Sequence, residues 1–231
     1  MSKKIIYLTI DDAPSEIMND KIEYLLREEI PAIFFCEGKK LEVQENVVIE
    51  AIKNGFIIGN HSYTHPHFSK IGVNKGKKEI KDTDELINKI YLKANKERPT
   101  KIFRFPYGDR GIYGVVKTYQ EFLKNLEYSQ PVFENIEDSS VNKTRIFESY
   151  DVFWTYDSED YKTKGSYKKE KRENEETILA KMDKKFPDGL NLNEHSDIVL
   201  VHDHPETKDL FIKMVGKLKS KGFEFRLPSF K

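Results

Sequence analysis

The chain's six histidines fall into two groups, at 61, 65 and 67 and at 195, 202 and 204. An acidic pair, Asp11-Asp12, ends the first apolar run. Asp12, His61 and His65 together offer one carboxylate and two imidazoles. Such a set can occupy one face of a divalent cation and leave positions open for water and substrate. The spacing of His61 and His65 predicts both rings on one face of a helical turn, which Pro66 then closes. Alone, this pair is a weak signal, because two surface histidines in a polar loop look the same. The acidic pair at a strand end shifts the balance toward a metal centre. It has a plain structural use as well, since an Asp there often caps the next helix or makes an Asx turn. The sharper reading divides the pair: one carboxylate binds the cation and the other stays free as a base. Beside a divalent cation that base is ionised at neutral pH.

Other polar residues follow the same rule of position. Arg104 stands near the end of an apolar run and is followed by Pro106-Tyr107; Asp157 and Asp160 follow another, and His202 ends a third. Arg104 could orient the base, with Asp157 or Asp160 holding Arg104 in turn. A purely structural ion pair is an equal alternative for Arg104. His202 is a candidate general acid for a leaving group, with a satisfied core histidine as its alternative. His67, His195 and His204 receive no role; of these His67 is the best placed to be a spare near the metal.

The elements that must position these residues alternate. Strands are expected over Ile5–Ile10, Ala32–Cys36, Phe56–Asn60, Lys101–Phe105, Tyr150–Tyr156, Asp197–Val201 and Phe223–Leu227. Helical patterns follow from Ile17 to Pro31, over Val43–Lys53, Glu79–Ala94, Ile112–Leu126, Thr177–Phe186 and Leu210–Leu218. Residues 127–149 show no clean periodicity, and residues 162–176 form a Lys/Glu-rich solvated stretch leading into a helix. Strands apolar on both faces belong to a parallel sheet covered by helices. The expectation is an α/β fold, a distorted TIM-barrel-like (β/α) barrel of seven or eight strands, with a doubly wound open sheet as the alternative. No Gly-rich dinucleotide fingerprint follows any strand. In parallel α/β folds, sites gather at the carboxyl ends of the strands, which is where these polar residues fall.

Length and composition bound the rest. With 231 residues the chain reads as a single domain over 1–231 that can bury its own core. It has 39 Lys+Arg against 39 Asp+Glu, and this balance argues against nucleic acid as a partner. Its single cysteine, Cys36, excludes an intrachain disulfide. No run approaches the ~20 apolar residues of a membrane span. The run Ile5–Ile10 is too short for a signal peptide. As written the chain reads as cytoplasmic, and as extracytoplasmic if a leader has been trimmed.

The motifs taken together resemble the polysaccharide deacetylases with a NodB homology domain, carbohydrate esterase family 4. Thr9-Ile10-Asp11-Asp12-Ala13-Pro14 is similar to the family's T-F-D-D-G-P, and His61-Ser62-Tyr63-Thr64-His65 to H-[ST]-x-x-H. Arg104-Phe105-Pro106-Tyr107-Gly108 is similar to R-x-P-Y-G, Asp157-Ser158-Glu159-Asp160-Tyr161 to D-x-x-D-W, and Leu200-Val201-His202 to L-x-H. The ordered set, spanning residues 5 to 227, is far more specific than any member. It implies a distorted (β/α) barrel and a hydrolase that removes acetyl from N-acetylated sugars. It implies that Asp12, His61 and His65 hold a divalent metal, zinc first and cobalt or another ion as alternatives. Asp11 is then the base that activates water, Arg104 tethers Asp11, and Asp160 steadies Arg104. The Tyr107 N–H helps hold the oxyanion, His202 protonates the leaving amine, Leu200 lines the acetyl pocket, and Tyr161 stands at the substrate. Two positions depart from the pattern: Ala13 replaces Gly, where a methyl could crowd the substrate, and Tyr161 replaces Trp. Two other functions stay open, an amidohydrolase acting on a small intracellular amide and a carbohydrate-binding protein without turnover.

Overall fold

The computed structural model describes residues 4–136, 143–184, 190 and 195–231. Strands β1 (Ile5–Ala13), β2 (Ile33–Cys36) and β3 (Ile57–Asn60) alternate with helices α1 (Met18–Arg27), α2 (Gly38–Leu41) and α3 (Glu45–Lys53). Then come α4 (Val73–Lys93), α5 (Val116–Asn125), β4 (Pro131–Val132), α6 (Lys143–Glu148) and β5 (Tyr156–Asp157). The chain ends with α7 (Glu175–Lys181), β6 (Asp197–His202), α8 (Lys208–Ser220), β7 (Glu224–Phe225) and β8 (Ser229–Phe230).

The main sheet runs β3-β2-β1-β6-β5, with β7 beside the start of β1, and every pairing in it is parallel. It closes on itself through one residue: Phe103 bridges Asn60 at the end of β3 and Asp151 on the approach to β5. The fold is therefore a distorted (β/α) barrel, six strands plus a stave reduced to that residue. β4 and β8 form a separate antiparallel pair.

Period-two alternation sorts the strand residues between two apolar layers. On β1, Ile5 and Tyr7 point into the barrel with Ile33, Phe35, Ile57, Ile102 and Ile198. Ile6, Leu8 and Ile10 point outward against the helices, joining Ile22 and Leu25 of α1, Val48 and Ile52 of α3, and Phe211 and Val215 of α8. Cys36 is free, buried and part of that outer layer. Gly59 faces the barrel interior, where an added Cβ would lie 2.6 Å from the Phe35 ring. Only glycine leaves Phe35 room to fill the barrel centre.

The elements differ from the sequence expectation in ways with physical causes. Over residues 101–105 and 150–156 the expected strands shrink to the bridges at Phe103 and Asp151, with β5 beginning at Tyr156. The carbonyls of Val152 and Phe153 accept hydrogen bonds from Arg104, so those two carbonyls serve a side chain while Val152 N and Thr155 N still donate to the neighbouring staves. α4 starts at Val73, a turn and a half before the expected Glu79. Its first turns carry lysines, which hide the apolar period, but Gly76 fits tightly against Tyr119 of α5, where a Cβ would come within 2.2 Å of the hydroxyl. Within the aperiodic stretch lie β4 and α6. α7 begins at Glu175, its first turn capped by the Asn174 side chain, which accepts from Thr177 N at 2.8 Å. The expected end of that helix, Phe186, lies outside the described residues. Among the described residues, no helix is long and apolar enough to cross a membrane.

Candidate functional site

The alternation that builds the barrel core also builds the site. Going up each stave, the inward positions are apolar first and polar last: Ile5 and Tyr7 then Thr9 and Asp11, Ile57 then His61, Ile102 then Arg104, Ile198 and Leu200 then His202. The ladder pairs Asp11 directly with His202. A regular strand would send Asp12 to the opposite face from Asp11. Instead the β1–β2 register slips between Ile10 and Ala13, and Asp12 takes a φ of 62°. This bulge turns Asp12 back, so consecutive acids face one centre. Ala13 beyond it is fully buried in the outer apolar layer, so its methyl packs into the core and does not crowd the site.

His61 and His65 do not share a helical turn. Residues 61–67 form a loop in which Ser62 and His65 have φ values of 66° and 54°. Two side chains clamp it. Asn60 Oδ1 accepts from Ser62 N at 2.8 Å. Glu79 of α4, itself buried, accepts from Tyr63 N at 2.9 Å, Thr64 N at 2.7 Å and the Thr64 hydroxyl at 2.8 Å. Left-handed backbone at Asp12, Ser62, His65, Tyr107 and Glu159 concentrates strain around one centre, as binding and catalytic sites commonly do.

Asp12 Oδ1 lies 3.5 Å from His61 Nε2 and 3.1 Å from His65 Nε2. Ligand atoms of all three residues fall within 4.8 Å of one another. A tetrahedral ion with ligands at ~2.1 Å would hold them ~3.4 Å apart, so the donor set is one that could hold a divalent cation. His61 Nδ1 is 2.9 Å from the Arg104 carbonyl. That oxygen only accepts, so Nδ1 carries a proton and Nε2 is the nitrogen turned to the carboxylates, the outer-shell arrangement typical of metal-binding histidines. Burial by itself would raise Asp12, yet contacts from His204, His61 and His65 hold its carboxyl well below the usual range. Burial likewise opposes charge on His61, and Asp11 and Asp12 raise it nonetheless.

Arg104 is fully buried and spends its guanidinium on four partners. It donates to Asp11 Oδ1 at 2.7 Å, to the Thr9 hydroxyl at 2.8 Å, and to the Val152 and Phe153 carbonyls. Its plane lies over the Phe35 ring at 4.4 Å. Asp11 Oδ2 is left 3.6 Å from His61 Nε2. Asp160 has a different partner from the one expected. Its Oδ1 accepts from His202 Nδ1 at 2.7 Å and its Oδ2 from His202 N at 3.2 Å. Asp160 steadies the imidazole, and backbone carbonyls steady Arg104. Asp157 is turned to its own loop, accepting from Glu159 N at 2.8 Å. Burial works against a charged His202, but the Asp160 carboxylate, with Asp12 and Asp157, raises it to about 10.

Around this centre, Tyr107 has a φ of 58°, packs its ring edge-on to His65 and stacks on His67 at 3.9 Å. Tyr161 meets the His202 ring edge-on at 5.1 Å. Leu200 is buried at an inward position below His202. His195 lies before β6, at the end of the barrel away from the site. The sequence alone assigns no role to Thr9, Glu79 or His204. Thr9 carried a signal, a polar residue two positions before Asp11 on the same strand face. Glu79 carried none, because nothing local tells a helix glutamate that it caps a distant loop.

Residues 1–140 match the family model described as polysaccharide deacetylase. The peptidoglycan-N-acetylmuramic acid deacetylase PdaC of Bacillus subtilis is 27% identical over 225 residues, covering 96% of this chain and 38% of its own. The peptidoglycan-N-acetylglucosamine deacetylase PgdA of Listeria monocytogenes is 27% identical over 227 residues, covering 97% of this chain. This chain spans 38% of the length of each relative. Among solved structures, that of PdaC has a TM-score of 0.64 at 25% identity, covering 97% of this chain and 87% of that one. A family 4 carbohydrate esterase from Streptomyces lividans has a TM-score of 0.66 at 20% identity, covering 97% and 92%. A CE4 family pseudoenzyme from Bacillus anthracis has a TM-score of 0.65 at 22% identity, covering 97% and 63%.

Proposed function

The chain belongs to the polysaccharide deacetylase family, and on that premise we propose that it is a metal-dependent hydrolase removing acetyl groups from N-acetylated sugars. One observation carries this reading: a free carboxylate, a metal-type donor set and an acid-type histidine converge at one barrel mouth. Asp12, His61 and His65 would hold the ion, zinc in the first place. Bound there, a divalent cation supplies Lewis acidity, polarising a carbonyl and making water a nucleophile near neutral pH.

The chain's own residues supply the rest. Arg104 ties down Asp11 Oδ1, which leaves Oδ2 to take a proton from the attacking water. The water oxygen bonds to the acetyl carbon. The Tyr107 N–H would hold the negative oxygen, a contact commonly worth a hundredfold or more in rate. His202, protonated and held at Nδ1 by Asp160, gives its other proton to the sugar nitrogen as the C–N bond breaks. Leu200 and Tyr161 are the residues suited to the acetyl methyl and the sugar. The products are acetate and a free amine.

The test is acetate release from N-acetylated chitin oligomers and peptidoglycan fragments by zinc- or cobalt-loaded protein. Asp12→Ala should abolish release and lose the metal. A second reading, glycan binding without turnover, draws on the likeness to a pseudoenzyme. Glycan affinity with no acetate from metal-replete protein would establish it and sink the hydrolase.

A further inference from the structure

Asp12 has two carboxylate oxygens, and the donor set above uses one. His61 and His65 approach Oδ1. Oδ2 has a partner of its own, the His204 Nε2 at 3.1 Å. His204 lies outside the group of ligand atoms that cluster within 4.8 Å of one another, so it meets the carboxylate from the far side.

Its own surroundings hold it there. His204 leads into a 3-10 turn at Pro205–Thr207, where Thr207 N and the Thr207 hydroxyl both donate to the His204 carbonyl at 3.1 Å. Its ring stacks on that of His202, centroids 5.6 Å apart and planes within 10°. Lys164 Nζ stands 3.3 Å from the ring nitrogens. An ammonium can only donate. Equidistant from both nitrogens, it singles out neither; the Asp12 carboxylate, which only accepts, sets Nε2 as the nitrogen that carries the proton toward Oδ2.

Resting on the metal-centre reading above, we propose that His204 is a positioning residue for Asp12. It donates Nε2–H to Oδ2, so the carboxylate presents Oδ1 alone to the cation, between His61 and His65. Without it, Asp12 sits at a bulge with a left-handed backbone and one oxygen unheld. The carboxylate can then rotate, and the site loses a pre-set ligand.

The experiment compares wild type, His204→Ala and His204→Gln in zinc affinity, by competition with a chelator, and in the X-ray absorption spectrum of the zinc-loaded protein. Glutamine places an N–H donor near the position of Nε2. His204→Ala should weaken zinc binding about 10- to 100-fold, and His204→Gln should recover most of the loss. The spectrum should count two histidine ligands in wild type and in both variants. Three histidines in wild type would make His204 a ligand and overturn the proposal, as would full affinity in His204→Ala or no recovery in His204→Gln. Matched melting temperatures of the three proteins in EDTA separate a misfolded variant from a weakened site; if only His204→Ala melts early, the affinities of wild type and His204→Gln still decide. Wild type that binds no zinc overturns the metal reading itself, a result distinct from each of these.

Discussion

At the scale of single residues, the site works by giving each reactive group one fixed neighbour. Asp11 has Arg104, His61 has the Arg104 carbonyl, and His202 has Asp160. On the proposed mechanism, the last pair governs pH dependence. With its pKa raised to about 10, His202 keeps its proton through the neutral range. The stability this adds is complete below the ordinary histidine pKa of about 6.5 and is lost as pH climbs toward the raised value. Asp160→Asn removes the largest charge holding that proton, so the alkaline limb of the kcat/KM profile should move to lower pH. A limb unmoved in that variant would mean that another group sets it. The sequence points to Asp160 as the partner of Arg104, but Arg104 and His202 are both far from it along the chain, and the order of residues does not choose between them. Only the turn after β5, which brings Asp160 beneath β6, chooses between them.

At the scale of elements, helix α4 shapes the loop that carries His61 and His65. Glu79 satisfies two backbone N–H groups of the His61–His65 loop and one hydroxyl. Deleting such a buried acceptor commonly costs about 1–3 kcal/mol. Glu79→Ala should therefore lower the melting temperature and, more tellingly, weaken metal affinity while leaving the His202 limb of the pH profile in place. Denaturant melts and metal titration check this. Unchanged metal affinity would reduce the clamp to a purely stabilising contact. The β1 bulge is the second such device, since it alone brings Asp11 and Asp12 to one side.

At the scale of the whole molecule, the donors come from three places, the end of β1, the loop after β3 and, for the acid, the end of β6. An ion held by the first two ties distant segments together and should stabilise the fold by mass action. Free metal at a thousandfold its Kd adds about 4 kcal/mol, which for a domain of this size raises the melting temperature by roughly 10 °C. Removing metal with EDTA should lower it by that amount, and His61→Ala should abolish the difference. Equal melting curves with and without metal would contradict a cation at this centre.

The strand–helix alternation is enough to give a parallel α/β fold and the ordered motifs point to its barrel form, because both are local properties: apolar runs, helix patterns and polar residues at run ends are written along the chain. So is the gathering of Asp11, Asp12, His61, Arg104 and His202 at one end, since parallel strands share a direction. The tertiary structure decided what local pattern does not carry. It set the HxxxH segment as a clamped loop instead of a helical turn, aimed Asp12 by a register slip, gave Asp160 to His202, and brought His204 and Glu79 to groups far away in sequence. Each of these depends on which carbonyl, carboxylate or imidazole a folded neighbour presents, and a side chain of ordinary type shows no trace of that partner until the strands and helices have packed.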